Sequence, residues 1–133
     1  MRVLAAIALT SYAVIHFASA SEVKTQTGES LFALKIFPML SSKCLACHGQ
    51  EPSKVKGDLV LTSRKALLKG GDSGTPAISP GKPMQSPLFL AATREHEPTW
   101  SAMPPKENDR LTHRQIEDLK EWIKERKAEA KEL

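Results

Sequence analysis

Residues 44–48 read Cys44-Leu45-Ala46-Cys47-His48, and these five positions decide how the rest of the chain is read. Side chains three residues apart on a helical turn share a face, so both thiols can meet one rigid partner. The imidazole that follows directly can reach the same partner from another direction. A C-x-x-C-H run has the spacing of covalent haem attachment, in which each thiol adds to a porphyrin vinyl group and the histidine gives iron an axial nitrogen. Three other readings use the same cysteines. A structural disulfide accounts for the pair in an exported chain but leaves His48 without a role. A dithiol oxidoreductase sets C-x-x-C at a helix start beside a βαβ pattern, and no strand pattern precedes Cys44. A zinc site needs a second ligand pair, and His96 and His113, seventeen residues apart, match no finger spacing.

The first twenty residues follow a different logic. Arg2 gives a minimal positive start, Val3 to Phe17 is almost uninterruptedly apolar, and Ala18-Ser19-Ala20 offers small residues for a signal peptidase. A retained anchor is the rival reading. Fifteen helical residues at 1.5 Å each reach only about 22 Å, short of a hydrocarbon core of roughly 30 Å. No cysteine follows the small residues, so a lipid anchor is not indicated. The expected product starts at Ser21 in the periplasm or outside the cell, the compartment in which haem of this kind is attached.

At 133 residues the chain is about one domain long. Apolar residues make up 41% and charged residues 26%, with a formal charge of +4, which is ordinary globular usage. These totals exclude a multidomain machine, a collagen-like chain, a disulfide-dense scaffold and a polytopic membrane protein. The 113 residues from Ser21 onward keep eighteen basic against fifteen acidic side chains. They hold five large rings, Phe32, Phe37, Phe89, Trp100 and Trp122, few for filling a core, so a bulky prosthetic group suits the interior. No Lys/Arg tract is interleaved with aromatics, and nucleic-acid binding has no support.

Two helical ends bracket a middle rich in breakers. From Glu29 to about Ser42, Ala33, Ile36, Phe37 and Leu40 recur at helical spacing, with Thr27 or Ser30 as N-cap. Pro38 removes a hydrogen bond and predicts a kink or short break. Eight of the nine prolines lie between Pro52 and Pro105, together with five glycines, which forbids long helices there. Short helices are expected over Ser63–Lys69 and Ser86–Arg94, each opened by serine and bounded by glycine or proline. Thr112-His113-Arg114-Gln115 fits a capping box, followed by a face of Ile116, Leu119 and Ile123 with Trp122 beside it. Lys127 and Lys131 suit the C-terminal end of that helix dipole. No strand alternation exceeds Asp58-Leu59-Val60-Leu61. The expected fold class is all-α, with terminal helices that pack on each other.

Further stretches carry a resemblance. They are Phe37-Pro38-Met39-Leu40, Cys44 to Gly49, Lys56-Gly57-Asp58-Leu59, Leu67-Leu68-Lys69-Gly70-Gly71, Ile78-Ser79-Pro80-Gly81, Ser86-Pro87-Leu88, Met103-Pro104-Pro105-Lys106 and Trp122-Ile123. From about Ala33 to Lys127 the chain resembles the planctomycete-type cytochrome c domain, a relative of class I c-type cytochromes. The resemblance implies a small cytochrome c-like fold with its terminal helices packed around one covalently bound haem c. It implies Cys44 and Cys47 as thioether attachments, His48 as proximal ligand and Met103 as distal iron ligand. Met103 lies fifty-five residues past His48, far enough for the chain to wrap the porphyrin, and Pro104 and Pro105 stiffen the loop behind it. Met39 approaches from the attachment side, Met84 sits in a turn, and His96 stands between two carboxylates. Thr99-Trp100-Ser101-Ala102 departs from the plainer lead-in of the family.

The expected organisation is a signal peptide over 1–20, a flexible lead-in over 21–29 and a haem domain over 30–133. The expected role is a monohaem, His/Met-ligated carrier of single electrons in the periplasm. It is a monomer with an unidentified redox partner protein, free of the membrane once the signal is cut, and not an enzyme. Glu95, His96 and Glu97 read as a solvated turn rather than a catalytic cluster. A haem-containing sensor or docking module, or a small haem peroxidase, are the alternatives, and both need an open iron position.

Overall fold

The computed structural model describes residues 28–125. The expected signal segment, most of the lead-in, the Thr27 cap, and Lys127 and Lys131 lie outside the described residues. Among the described residues every regular element is helical. α1 (Gly28–Leu31) runs through a π segment (Phe32–Ile36) into α2 (Phe37–Lys43), and α3 (Leu45–His48) follows at once. α4 (Arg64–Lys69) and α5 (Pro87–Thr93) are short, and α6 (His113–Lys124) is the longest.

The break expected at Pro38 takes the form of the π segment. Pro38 cannot donate the bond that a regular helix would send back to Leu34, and its ring crowds that carbonyl. The chain widens one residue earlier, where Phe37 N–H bonds to Phe32 O, and Ile36 and Phe37 keep helical dihedrals. The helix therefore continues through the proline, and the widened turn carries Phe32 onto α6. Phe32 stands 5.4 Å from Trp122 and 6.3 Å from Phe37, centroid to centroid, both pairs tilted. Ala33, expected on the buried stripe, is exposed, whereas Leu31, Phe32, Ile36, Met39 and Leu40 are buried. From α6 the fully buried side chains are Leu119, Trp122 and Ile123. The terminal helices do pack on each other, and α5 packs on α6 beside them.

The caps differ in kind. Thr112 Oγ1 accepts from Gln115 N–H at 3.2 Å and Gln115 Oε1 accepts from Thr112 N–H at 2.9 Å, the reciprocal box expected there. Ser63 caps α4 by accepting from Ala66 N–H at 3.2 Å. Ser86 does not cap α5. Its buried hydroxyl donates to Lys82 O and accepts from Ser79 N–H, both at 2.9 Å, pinning the preceding turn instead. α5 ends at neither glycine nor proline but at Arg94, which is left-handed with φ 63°.

Gly70 ends α4 at φ 75° and ψ −163°, and a Cβ there would lie 2.0 Å from Thr75 O. That region of backbone space is open to glycine alone. Gly70→Ala is expected to destabilise the protein by at least ~2 kcal/mol in urea unfolding; an unchanged midpoint would show that the Gly70–Thr75 turn can relax.

Candidate functional site

α2 ends at Cys44, whose φ of −125° departs from helical geometry, and a new turn starts there. The Cys44 carbonyl accepts from both Cys47 N–H at 3.1 Å and His48 N–H at 2.9 Å. This short turn brings Cys44, Cys47 and His48 to one wall of a cavity of about 410 Å³. Such a volume falls in the usual range for small-molecule sites. Leu59, Leu61, Ala77, Pro87, Leu88 and Ala91 make much of the remaining wall, so it is largely apolar.

His48 is oriented from behind. Its Nδ1 lies 3.0 Å from Leu59 O. A carbonyl oxygen can only accept, so Nδ1 carries the proton in the neutral ring and Nε2 keeps its lone pair. That is the usual arrangement for a metal-binding imidazole, with one nitrogen tied to the protein and the other free to ligate. Two backbone bonds hold the segment after the motif against it: Lys56 N–H to Cys47 O and Leu61 N–H to His48 O, both 2.9 Å.

Both cysteines are free thiols, Cys47 exposed and Cys44 partly buried. Burial pushes the Cys44 thiol up from 9.0 to about 11, against a smaller opposing pull from Lys43. A thiol held protonated is a poor nucleophile, unlike the lead cysteine of a dithiol oxidoreductase. Among the described residues no group of three or more His, Cys, Asp or Glu side chains is arranged to hold a metal ion, which leaves the zinc reading without support.

Met103 lines the same cavity, delivered by the loop after α5, where its N–H donates to Ala91 O at 3.0 Å. Its competitors do not line it. Met39 is packed in the core and Met84 is 60% exposed. His96 is also absent from the lining, as Glu95 and Glu97 are. Glu95 and Glu97 are exposed, as expected of a solvated turn, and Glu97 Oε1 also accepts from Ala102 N–H at 3.1 Å, next to Met103. Thr99, Trp100 and Ser101 all line the cavity, a placement that helical or strand periodicity could not have revealed in an irregular loop. Lys43, Lys56 and Asp72 are the charged lining residues, again unforeseen.

Residues 44–107 match the family model of planctomycete cytochrome C. The chain carries a planctomycete-type cytochrome c domain. No curated protein and no solved structure matches the chain. The matched stretch opens at the first cysteine of the motif and runs past Met103, so it spans every residue of the cavity wall except Lys43. A cytochrome c domain implies covalently bound haem c, and domains of this family are typically extracytoplasmic. The cytochrome domain's own residues fit such a group: two thiols on one wall, an imidazole with a free Nε2, and an apolar cavity between them and Met103.

In haem-free cytochrome domain, an alkylating reagent at pH 8 is expected to modify Cys47 well ahead of Cys44, with the difference vanishing in denaturant. The folded Cys44 thiol keeps its proton to higher pH than an unfolded one. The gap should therefore narrow as pH rises from 9.0 towards 11, read by mass spectrometry of the modified peptides. Equal rates without denaturant would show that this wall does not persist in the absence of haem.

Proposed function

We propose that the protein is a monohaem c-type cytochrome that carries single electrons outside the cytoplasm, with His48 and Met103 as axial ligands and a cytochrome c-like fold closed around the haem. What carries the reading is the joining of Cys44, Cys47, His48 and Met103 at one largely apolar cavity. Cys44 and Cys47 would hold the porphyrin through thioethers. His48 would bind through Nε2, its ring aligned by Leu59 O, and Met103 would offer its sulfur from the loop after α5. When bound, haem iron supplies a one-electron couple. The chain's part is to keep that couple in an apolar socket with its ligands in place, which limits rearrangement on electron transfer.

The remaining expectations belong to the same proposal. The protein acts as a monomer, its partner is another redox protein, and it turns over no substrate of its own. A signal segment over 1–20 would export it. A sensor or a peroxidase would instead keep the distal iron position open, and the ligation state separates these classes.

Intact mass of the exported protein is expected to equal the chain from Ser21 plus one haem, and acidified organic solvent should leave the colour with the polypeptide. Met103→Ala should abolish the sulfur-to-iron charge-transfer band, lower the reduction potential and open the iron to cyanide and carbon monoxide. If Met84→Ala or His96→Ala does this while Met103→Ala does not, the ligand assignment is wrong. Retention of Met1 in the mature protein would refute export by cleavage.

A further inference from the structure

Arg94 follows α5 with φ 63° and ψ 14°, in the left-handed region. At the end of a helix this conformation is usually given to glycine, because a Cβ crowds the backbone there. An arginine held in it is strained, and strain at one residue directs attention to what its side chain does. The guanidinium, 20% exposed, has two partners. Nη1 donates to Pro104 O, and Nη2 stands 3.0 Å from Glu107 Oε2. The other oxygen of Glu107 accepts from Arg110 Nη1 at 2.9 Å, so the carboxylate is fixed between two arginines.

Three residues before Arg94, Ala91 O accepts from Met103 N–H at 3.0 Å. Met103 and Pro104 are thus both tied to the last turn of α5, one by the backbone and the other by the Arg94 side chain. Met103 and Pro104 line the cavity, whereas Arg94 and Glu107 do not. Anything Arg94 does to the site it does through the loop. The part of the loop before Met103 has separate ties, Trp100 N–H to His96 O at 3.0 Å and Ala102 N–H to Glu97 Oε1 at 3.1 Å. Loss of the Arg94 side chain therefore frees Pro104 and leaves Met103 held to α5 by its backbone bond alone, without undoing the rest of the loop.

We propose that Arg94 is a positioning residue: its guanidinium, oriented by Glu107, clamps the Met103–Pro104 loop to α5 and so sets how readily the Met103 thioether gives way to another ligand. The inference rests on Met103 being the distal ligand. An added ligand must compete with the thioether, so its apparent affinity rises with the fraction of molecules whose loop stands open. Charge-assisted bonds of the kind Arg94 makes are the stronger class, and their loss registers in such an equilibrium.

The test is imidazole titration into the oxidised holoprotein, followed by the shift of the main haem absorption band, with the sulfur-to-iron band as second readout. Arg94→Gly removes the clamp and relieves the left-handed strain together. Its thermal midpoint should hold or rise while imidazole binds about tenfold more tightly and the sulfur-to-iron band weakens. Arg94→Lys, which retains the charge without the fork, should recover part of the change. Glu107→Gln alters an exposed side chain and should move affinity the same way by a smaller factor. Wild-type imidazole affinity and a full band in Arg94→Gly overturn the clamp if Met103→Ala still raises the affinity. If Met103→Ala itself leaves band and affinity unchanged, the ligand assignment falls and takes the clamp with it. Should Arg94→Gly fail to fold, Glu107→Gln decides, and unchanged affinity there overturns the clamp.

Discussion

The structure depends on the contact between its two helical ends, where Phe32 meets Trp122 and the buried side chains of α6 complete the core begun by Ile36 and Leu40. Everything between those ends is short helix or turn. Helices of six or seven residues such as α4 and α5 are too short to persist alone, since nucleation costs more than so few hydrogen bonds return. Burial supplies the difference: Leu67 in α4 and Phe89 in α5 are buried in the same core as the terminal helices. The widened turn at Phe32–Ile36 belongs to this contact as well, because it lets the first helix absorb Pro38 while keeping Phe32 on Trp122.

With few regular elements, the middle of the chain satisfies its backbone through isolated bonds that cross from one segment to another. Asp72 N–H reaches Gly57 O at 2.8 Å, Ala77 N–H reaches Leu67 O at 2.7 Å, and Leu88 N–H reaches Ala77 O at 2.9 Å. Gly81 N–H closes the circuit onto Ile123 O of α6 at 2.7 Å. A buried amide left unpaired would cost about 1–3 kcal/mol, so each bond constrains where its segment can lie. Gly71 sits at one of these close approaches: a Cβ there would come 2.3 Å from Gly57 O, and both glycines line the cavity. The absence of a side chain at Gly71 lets two irregular segments of backbone approach closely enough to form one wall, whereas a Cβ at Gly57 would meet nothing within 4 Å.

Much of this could be read beforehand, and the reasons for success and failure are physical. The ends of the fold follow from helical periodicity, and the Thr112–Gln115 box from local chemistry that needs only four residues. Cys44, Cys47 and His48 announce themselves because their spacing is local too. Ala33 misled because a small apolar residue at the right period is compatible with either face of a helix, and solvent tolerates it. Ser86 looked like a cap and is a turn pin, since a serine hydroxyl serves either purpose with equal ease. Trp100, Glu97 and Arg94 were invisible as site residues. Their roles arise from loop contacts between positions four to thirteen residues apart, in segments with no period to follow.

The two sides of the cavity are built differently, and this has consequences for how they respond to perturbation. The attachment side is local: Cys44 to Leu61 form one continuous run, closed by His48 Nδ1 to Leu59 O and by two backbone bonds onto the motif. The Met103 side is remote in sequence and is held by four loop contacts, of which one is made by a side-chain carboxylate and one by a guanidinium. Regions with few buried apolar contacts and solvent-accessible hydrogen bonds open at lower free energy than core helices. Pro104 is buried, but Thr99, Ser101 and Pro105 beside it are exposed. Cys47 and residues 50–54 on the other side are exposed as well, so what separates the two sides is connectivity: the C-x-x-C-H side is joined to its contacts through one continuous run and the Met103 side is not. On the proposed ligation, such a division suits a site whose attachment is permanent and whose sixth ligand is set by the loop that carries it.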